Sequence, residues 1–195
     1  KQTSPLNLIH KKGKFGNFKN KNDKELIKIS ETTNISIFQL VKFKNSSVKE
    51  SEIEIEIDNL SLPTILNSSS NPETRILWLA PNNWLIYSSK LDLLAKEENK
   101  FNEKDFAITD LSHSRSIIDL EGDLVKEVLK KGCPLNIDQM KEGSCANSVY
   151  NGITVTIDYI SSNPTKIRVL GLRSFGESLY HSLSDSSLEF GYLGL

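Results

Sequence analysis

The stretch Arg75-Ile-Leu-Trp-Leu-Ala-Pro-Asn-Asn-Trp-Leu-Ile-Tyr-Ser88 holds both tryptophans of the chain, and its reading sets the fold class. Two short apolar runs, rich in aromatic and branched side chains, flank Pro81-Asn82-Asn83. Proline presets φ for a turn and asparagine tolerates the left-handed region, so the segment reads as a β-hairpin. Directly after it, Ser89 to Asn99 places Leu91, Leu94 and Ala95 on one side of a helix. A strand pair followed by a helix is thus the unit to look for elsewhere.

Toward the C-terminus the unit recurs. Phe106 to Leu111 and Ser116 to Leu120 read as strands around Ser112-His-Ser-Arg115, and a helix follows from Asp123 to Lys131. Its stripe is Leu124, Val125, Val128 and Leu129; Gly132 ends it, with Pro134 just beyond. Ser148 to Ile160 reads as strand broken by a turn at Asn151-Gly152, and Lys166 to Leu170 as another strand. A closing helix, Ser174 to Glu189, is expected to turn Phe175, Leu179, Leu183 and Leu188, with Phe190, toward a sheet.

Toward the N-terminus, Asn34 to Phe43 is rich in β-branched and aromatic residues. Ser51 to Ile57 alternates strictly, with Ile53, Ile55 and Ile57 on one face and glutamates on the other. Leu62 to Pro72 reads as a loop. From Lys1 to Asn22 there are six lysines and no acidic residue. That composition predicts a basic arm, flexible or partner-bound, over 1–30. Residues 31–195 are expected to form a single α+β domain, built as two interlocked halves, 31–105 and 106–195. The fold class is α+β: antiparallel sheets with helices packed on one face, in split β-α-β units.

With 24 basic against 25 acidic side chains among 195 residues, no global field gathers nucleic acid or an anionic membrane. No apolar run approaches the roughly 18 residues of a membrane span. The first residues lack a secretory pattern, and two cysteines are expected as free thiols in a cytoplasmic setting.

The candidates for chemistry are few. Cys133 and Cys145 are too far apart in sequence for the paired ligands of a zinc site, even if His10, His113 or His181 completed a set. Asp110, His113 and Ser112 or Ser114 contain the residue types of a nucleophilic triad, but neighbours on a strand end rarely meet in that geometry. A polar turn capping its own backbone is the plainer reading. Gly122, Gly132 and Gly143 follow no phosphate-cradling pattern. Phe15 and Phe18 among the lysines could stack on bases, but the rest of the chain has no basic surplus. No catalytic, cofactor-binding or metal-binding residue is assigned.

Several motifs in order resemble the gamma subunit family of heterotetrameric sarcosine oxidase. Trp78-Leu-Ala-Pro-Asn-Asn-Trp-Leu85 looks like its Trp-Leu-Gly-Pro-x-x-Trp-Leu hairpin, Asp110-Leu-Ser112 like its Asp-x-Ser turn, and Lys131-Gly-Cys-Pro-Leu-Asn136 like its Lys-Gly-Cys-Pro-Leu-Asp run. Gly143-Ser-Cys-Ala146, Arg173-Ser-Phe-Gly-Glu-Ser-Leu179 and Glu189-Phe-Gly191 follow in the family's order, and Ser4-Pro5-Leu6 is similar to its start. Asn136 replaces the usual aspartate, and Glu121-Gly122-Asp123 stands where Gly-Pro is common.

The resemblance implies the fold of the folate-binding aminomethyltransferase. There an acidic residue follows a glycine-containing hairpin turn; here Asn151-Gly152 leads into Ile153-Thr-Val-Thr156, so folate chemistry by this chain is not expected. It further implies a non-catalytic subunit with alpha, beta and delta partners, whose complex oxidises sarcosine. FAD, FMN, NAD, tetrahydrofolate and zinc would be held by those other subunits. Alternatives are a subunit of a related N-methyl amino acid dehydrogenase, such as N-methylglutamate dehydrogenase, or a free folate-binding protein.

Overall fold

The computed structural model describes residues 4–7, 9–48 and 56–195. They divide into two compact units: the first comprises 1–33 with 114–195, the second 34–113.

The first unit is a seven-stranded sheet in the order β1-β14-β2-β10-β13-β12-β11. Its strands are β1 (Gly13–Phe15), β2 (Ile27–Glu31), β10 (Arg115–Glu121), β11 (Cys145–Tyr150), β12 (Ile153–Ser162), β13 (Thr165–Leu172) and β14 (Tyr192–Gly194). All neighbours are antiparallel except β14 and β2, which run parallel. Helices α2 (Val125–Lys130) and α3 (Gly176–Ser187) cover one face. Val125, Val128, Leu129, Leu179 and Leu183 pack into one core with Ile29 of β2, Ile118 and Leu120 of β10, Ile157 of β12 and Val169 of β13. Period two in the strands and the 3.6-residue stripe in the helices put these residues on facing surfaces.

The second unit is a five-stranded antiparallel sheet, β6-β7-β8-β3-β9, beside a short β4-β5 ribbon. Its strands are β3 (Ser36–Lys42), β4 (Glu56–Ile57), β5 (Leu60–Ser61), β6 (Ser68–Ser70), β7 (Thr74–Ala80), β8 (Asn83–Ser88) and β9 (Phe106–Asp110). The tryptophan hairpin forms as expected: Trp78 and Trp84 are direct partners, and Asn82 adopts φ 59 in the turn. Helix α1 (Leu93–Glu97) starts later than the sequence predicts. The Ser88 hydroxyl accepts the Lys90 N–H at 3.0 Å and holds a turn there first. A single 3₁₀ turn, Glu98–Lys100, continues it.

Several expectations change. Ser51 to Ile57 is described only at Glu56–Ile57, which pairs with Leu60–Ser61; its first five residues lie outside the described ones. The segment read as a loop contains β6, a run of serines that pairs through its backbone with Ser70 opposite Arg75. Phe106–Asp110 and Arg115–Glu121 are not a strand pair: β9 joins β3 in one sheet, and β10 joins β13 and β2 in the other. Phe106 and Ile108 share a core with Leu40, whereas Ile118 and Leu120 share one with Ile29, so the chain changes unit at the turn between them. Of the closing helix, Phe175 and Leu188 are exposed, because they fall beyond the two ends of α3.

The basic segment is built into the first unit. Leu6 is fully buried, β1 pairs with β14, and β2 lies inside the sheet. Two of its lysines have partners: Lys14 meets Asp23 at 2.5 Å, and the Lys21 ammonium donates to the Phe190 carbonyl at 2.7 Å. Gly16, at φ +70, sits so close to the Leu188 backbone that a Cβ there would collide with it. Gly16→Ala should therefore cost at least about 2 kcal/mol in chemical denaturation, from left-handed strain plus the clash. A loss under about 0.5 kcal/mol would show that this segment is not anchored.

Candidate functional site

On the face of the seven-stranded sheet away from the helices, period two aligns a charged row. Asp158 of β12, Arg168 of β13, Asp119 of β10 and Ser30 of β2 are successive cross-strand neighbours. Asp119 and Asp158 are buried. The Arg168 guanidinium grips Asp119 with both arms, Nε to Oδ1 at 2.7 Å and Nη2 to Oδ2 at 2.8 Å. The Thr32 hydroxyl accepts a second bond from Nη2 at 3.0 Å and donates to Asp119 Oδ2 at 3.0 Å. Burial pushes the Asp119 carboxyl up, but the bonds and charge of Arg168, then Lys166 and Thr32, outweigh it and hold the group below its ordinary value.

A second carboxylate cluster lies in the other unit. Asp58, in the β4-β5 turn at φ 53, accepts from Lys90 at 2.7 Å, from the Thr74 hydroxyl at 2.6 Å and from Asn71. Burial pushes this carboxyl up too; the bonds from Lys90, Thr74 and Asn71 prevail and bring it to about 2. Both clusters join strands through their side chains.

The residues singled out from the sequence have structural duties. Asp110 accepts the Ser112 N–H at 2.9 Å, while the Ser112 hydroxyl accepts the Ile37 N–H at 2.9 Å and donates to the Ile37 carbonyl at 3.2 Å. Asp110 and Ser112 thus cap backbone, and His113 is exposed beside them. Cys133 and Cys145 are buried free thiols; the Cys133 Sγ lies 3.4 Å from the Ser148 hydroxyl. His10 packs on Tyr180 with ring centroids 5.1 Å apart, and His181 is exposed on α3. Phe15 stacks on Tyr192, not on an open surface. Among the described residues, no group of three or more His, Cys, Asp or Glu has the arrangement of a metal site.

After the Asn151-Gly152 turn, Val155 enters the core and the Thr156 hydroxyl donates to Asn147 at 2.7 Å. The first carboxylate of β12 is Asp158, buried in the charged row. No carboxylate stands between the Asn151-Gly152 turn and Asp158. The Lys-Gly-Cys-Pro segment is explained by packing. The Gly132 carbonyl accepts the Asn151 N–H at 2.9 Å, and a Cβ on Gly132 would come within 2.6 Å of Asn151 Oδ1 and 2.9 Å of the buried Tyr150 ring. The exit of α2 is clamped to the β11-β12 turn.

The model of the sarcosine oxidase, gamma subunit family matches residues 53–189. The chain belongs to that family. The gamma subunit of sarcosine oxidase from Corynebacterium sp. strain U-96 is 29% identical over 123 residues, covering 60% of this chain and 58% of that relative. Its counterpart from strain P-1 is 28% identical over the same length. The match thus spans little more than half the length of these family members. Among solved structures, a chain of the heterotetrameric sarcosine oxidase of Corynebacterium sp. U-96, in complex with pyrrole 2-carboxylate, superposes with TM-score 0.75 at 22% identity and covers 87% of both chains. Aminomethyltransferase T of the glycine cleavage system from Bartonella henselae superposes with TM-score 0.58 at 10% identity, covering 83% of this chain and 46% of that one. This chain therefore shares its fold with both proteins.

The charged row was missed from sequence because its partners lie on strands far apart. The available signal was an aspartate and an arginine inside Ile117-Ile-Asp-Leu120 and Ile167-Arg-Val169. Asp119→Ala should destabilise by about 3–5 kcal/mol, since it strands the Arg168 cation. The double variant Asp119→Leu with Arg168→Leu should recover most of that loss in urea titration; equal losses would disprove the pairing. For Asp58, a carboxyl held below its unfolded value stabilises fully above pH 3.8 and loses that contribution as pH falls toward about 2. The stability gap between wild type and Asp58→Asn should shrink over that window, and a gap that stays constant would contradict it.

Proposed function

We propose that this chain is the non-catalytic gamma subunit of a heterotetrameric sarcosine oxidase. The observation that carries the reading is the family match over 53–189, joined to a common fold with a chain of such an oxidase. The duties of the candidate groups support it: Asp110 and Ser112 cap backbone, and the two cysteines fill core positions.

In this reading alpha, beta and delta subunits complete a cytoplasmic complex that oxidises sarcosine. Glycine is released, the methyl carbon passes to tetrahydrofolate as 5,10-methylenetetrahydrofolate, and oxygen takes the two electrons to become hydrogen peroxide. FAD, FMN, NAD, tetrahydrofolate and zinc belong to the other subunits. The role of this chain is to hold the assembly together, and the same role fits an oxidase or dehydrogenase of another N-methyl amino acid.

The aminomethyltransferase likeness favours a second reading, a free folate-binding protein. The missing carboxylate after Asn151-Gly152 weighs against it. Purified alone, the chain should be colourless, should leave sarcosine unoxidised in a peroxide assay and should give a flat calorimetric titration with tetrahydrofolate. Co-expressed with the flavin-bearing subunit, it should co-elute in a coloured complex. Peroxide production by the lone chain would overturn the non-catalytic role, and elution apart from the flavin subunit would overturn the assembly role.

A further inference from the structure

Strand β9 ends the five-stranded sheet, with β3 on one side and, among the described residues, no strand on the other. The ladder shows which of its groups face outward. Leu111 N–H donates to the Ile37 carbonyl, and Phe43 N–H donates to the Asp105 carbonyl, so the pairs 37/111, 39/109, 41/107 and 43/105 direct their backbone groups at each other. Phe106, Ile108 and Asp110 therefore point theirs away from β3. The Phe106 N–H is taken by the Asn102 carbonyl at 2.9 Å. The Phe106 carbonyl, both backbone groups of Ile108 and the Asp110 N–H meet no strand among the described residues.

Beside this edge the core of the unit opens. A cleft of about 540 Å³ is lined by Phe43, Phe101, Phe106 and Ile108, with Glu98 and Glu103 at its rim. Phe43 is 40% exposed, and Phe101 and Phe106 meet edge to face at 5.5 Å. The lining holds two carboxylates and no cationic side chain. Open edges are normally blunted by a lysine, a proline or a covering element, and β9 carries neither of those residues.

We propose that the outer edge of β9 receives an extended segment of another subunit as an added strand, with an apolar side chain in the Phe43–Phe101–Phe106 cleft and a lysine or arginine facing Glu98 and Glu103. Main-chain bonds supply affinity in this mode and the cleft supplies selectivity. The proposal rests on the assembly role above and gives it a location. The acidic rim selects a basic segment and disfavours a second copy of this edge, whose own rim carries the same charge.

The test is amide hydrogen exchange on the chain alone and in the co-expressed complex, with Ile108→Pro and Glu98→Lys/Glu103→Lys as variants. In the lone chain the Ile108 amide should exchange rapidly; in the complex its exchange should slow by at least about 100-fold. Ile108→Pro removes one inter-subunit bond and obstructs the edge, and should weaken association about tenfold or more. The charge-reversal pair, on exposed side chains, should weaken association at low salt while leaving the thermal midpoint of the lone chain unchanged. A wild-type complex with an unprotected Ile108 amide would overturn this inference and leave the assembly role standing. Absence of any wild-type complex would overturn both. Protection in the lone chain that grows with its concentration would mean self-pairing and would also overturn the proposal.

Discussion

With Asp119 buried in the seven-stranded sheet, the constraint is that its charge be matched, and the bidentate contact with Arg168 meets it. That contact joins β13 to β10 through side chains as well as backbone, and Thr32, just past β2, closes the network from the third strand. A buried carboxylate is tolerable only when its lone pairs are filled and its charge is matched. For Asp119 both conditions are met by Arg168 and Thr32. The face opposite, made of Ile29, Ile118, Leu120 and Val169, supplies the apolar burial that holds α2 and α3.

That division of labour separates an apolar face, which holds the helices, from a polar face, whose ion pair joins strands. In the fold shared with aminomethyltransferase T, the positions after the Asn151-Gly152 turn carry Val155 and Thr156, which pack and bond internally. Gly132 and Cys133, the most recognisable residues of the family motif, serve the junction between α2 and the β11-β12 turn. Family signatures mark close packing as readily as catalysis, because a glycine against a buried ring is as intolerant of change as a reactive group.

The two units also differ in how they end. In the first, β1 and β14 extend the sheet with short segments near the two ends of the chain. In the second, β9 finishes the sheet beside an apolar cleft with an acidic rim. In the assembly role proposed above, such an edge would supply backbone bonds in a fixed spacing.

Local pattern alone determined the tryptophan hairpin, helix α2, the β11-β12 turn and the α+β class. In each, periodicity and turn chemistry act among residues close in sequence. The same period-two signal is present at Ile27 and Ile29, yet six lysines upstream favoured a solvated arm. What overrode that composition was burial of Leu6 and the fit of Gly16 against Leu188, neither of which is a local property. Tertiary structure likewise decided that β9 and β10 join different sheets, that serines 68–70 form a strand, and that Asp119 finds Arg168. Strand partners and ion pairs are chosen by which distant surfaces exclude water together, and a linear pattern carries no record of that choice.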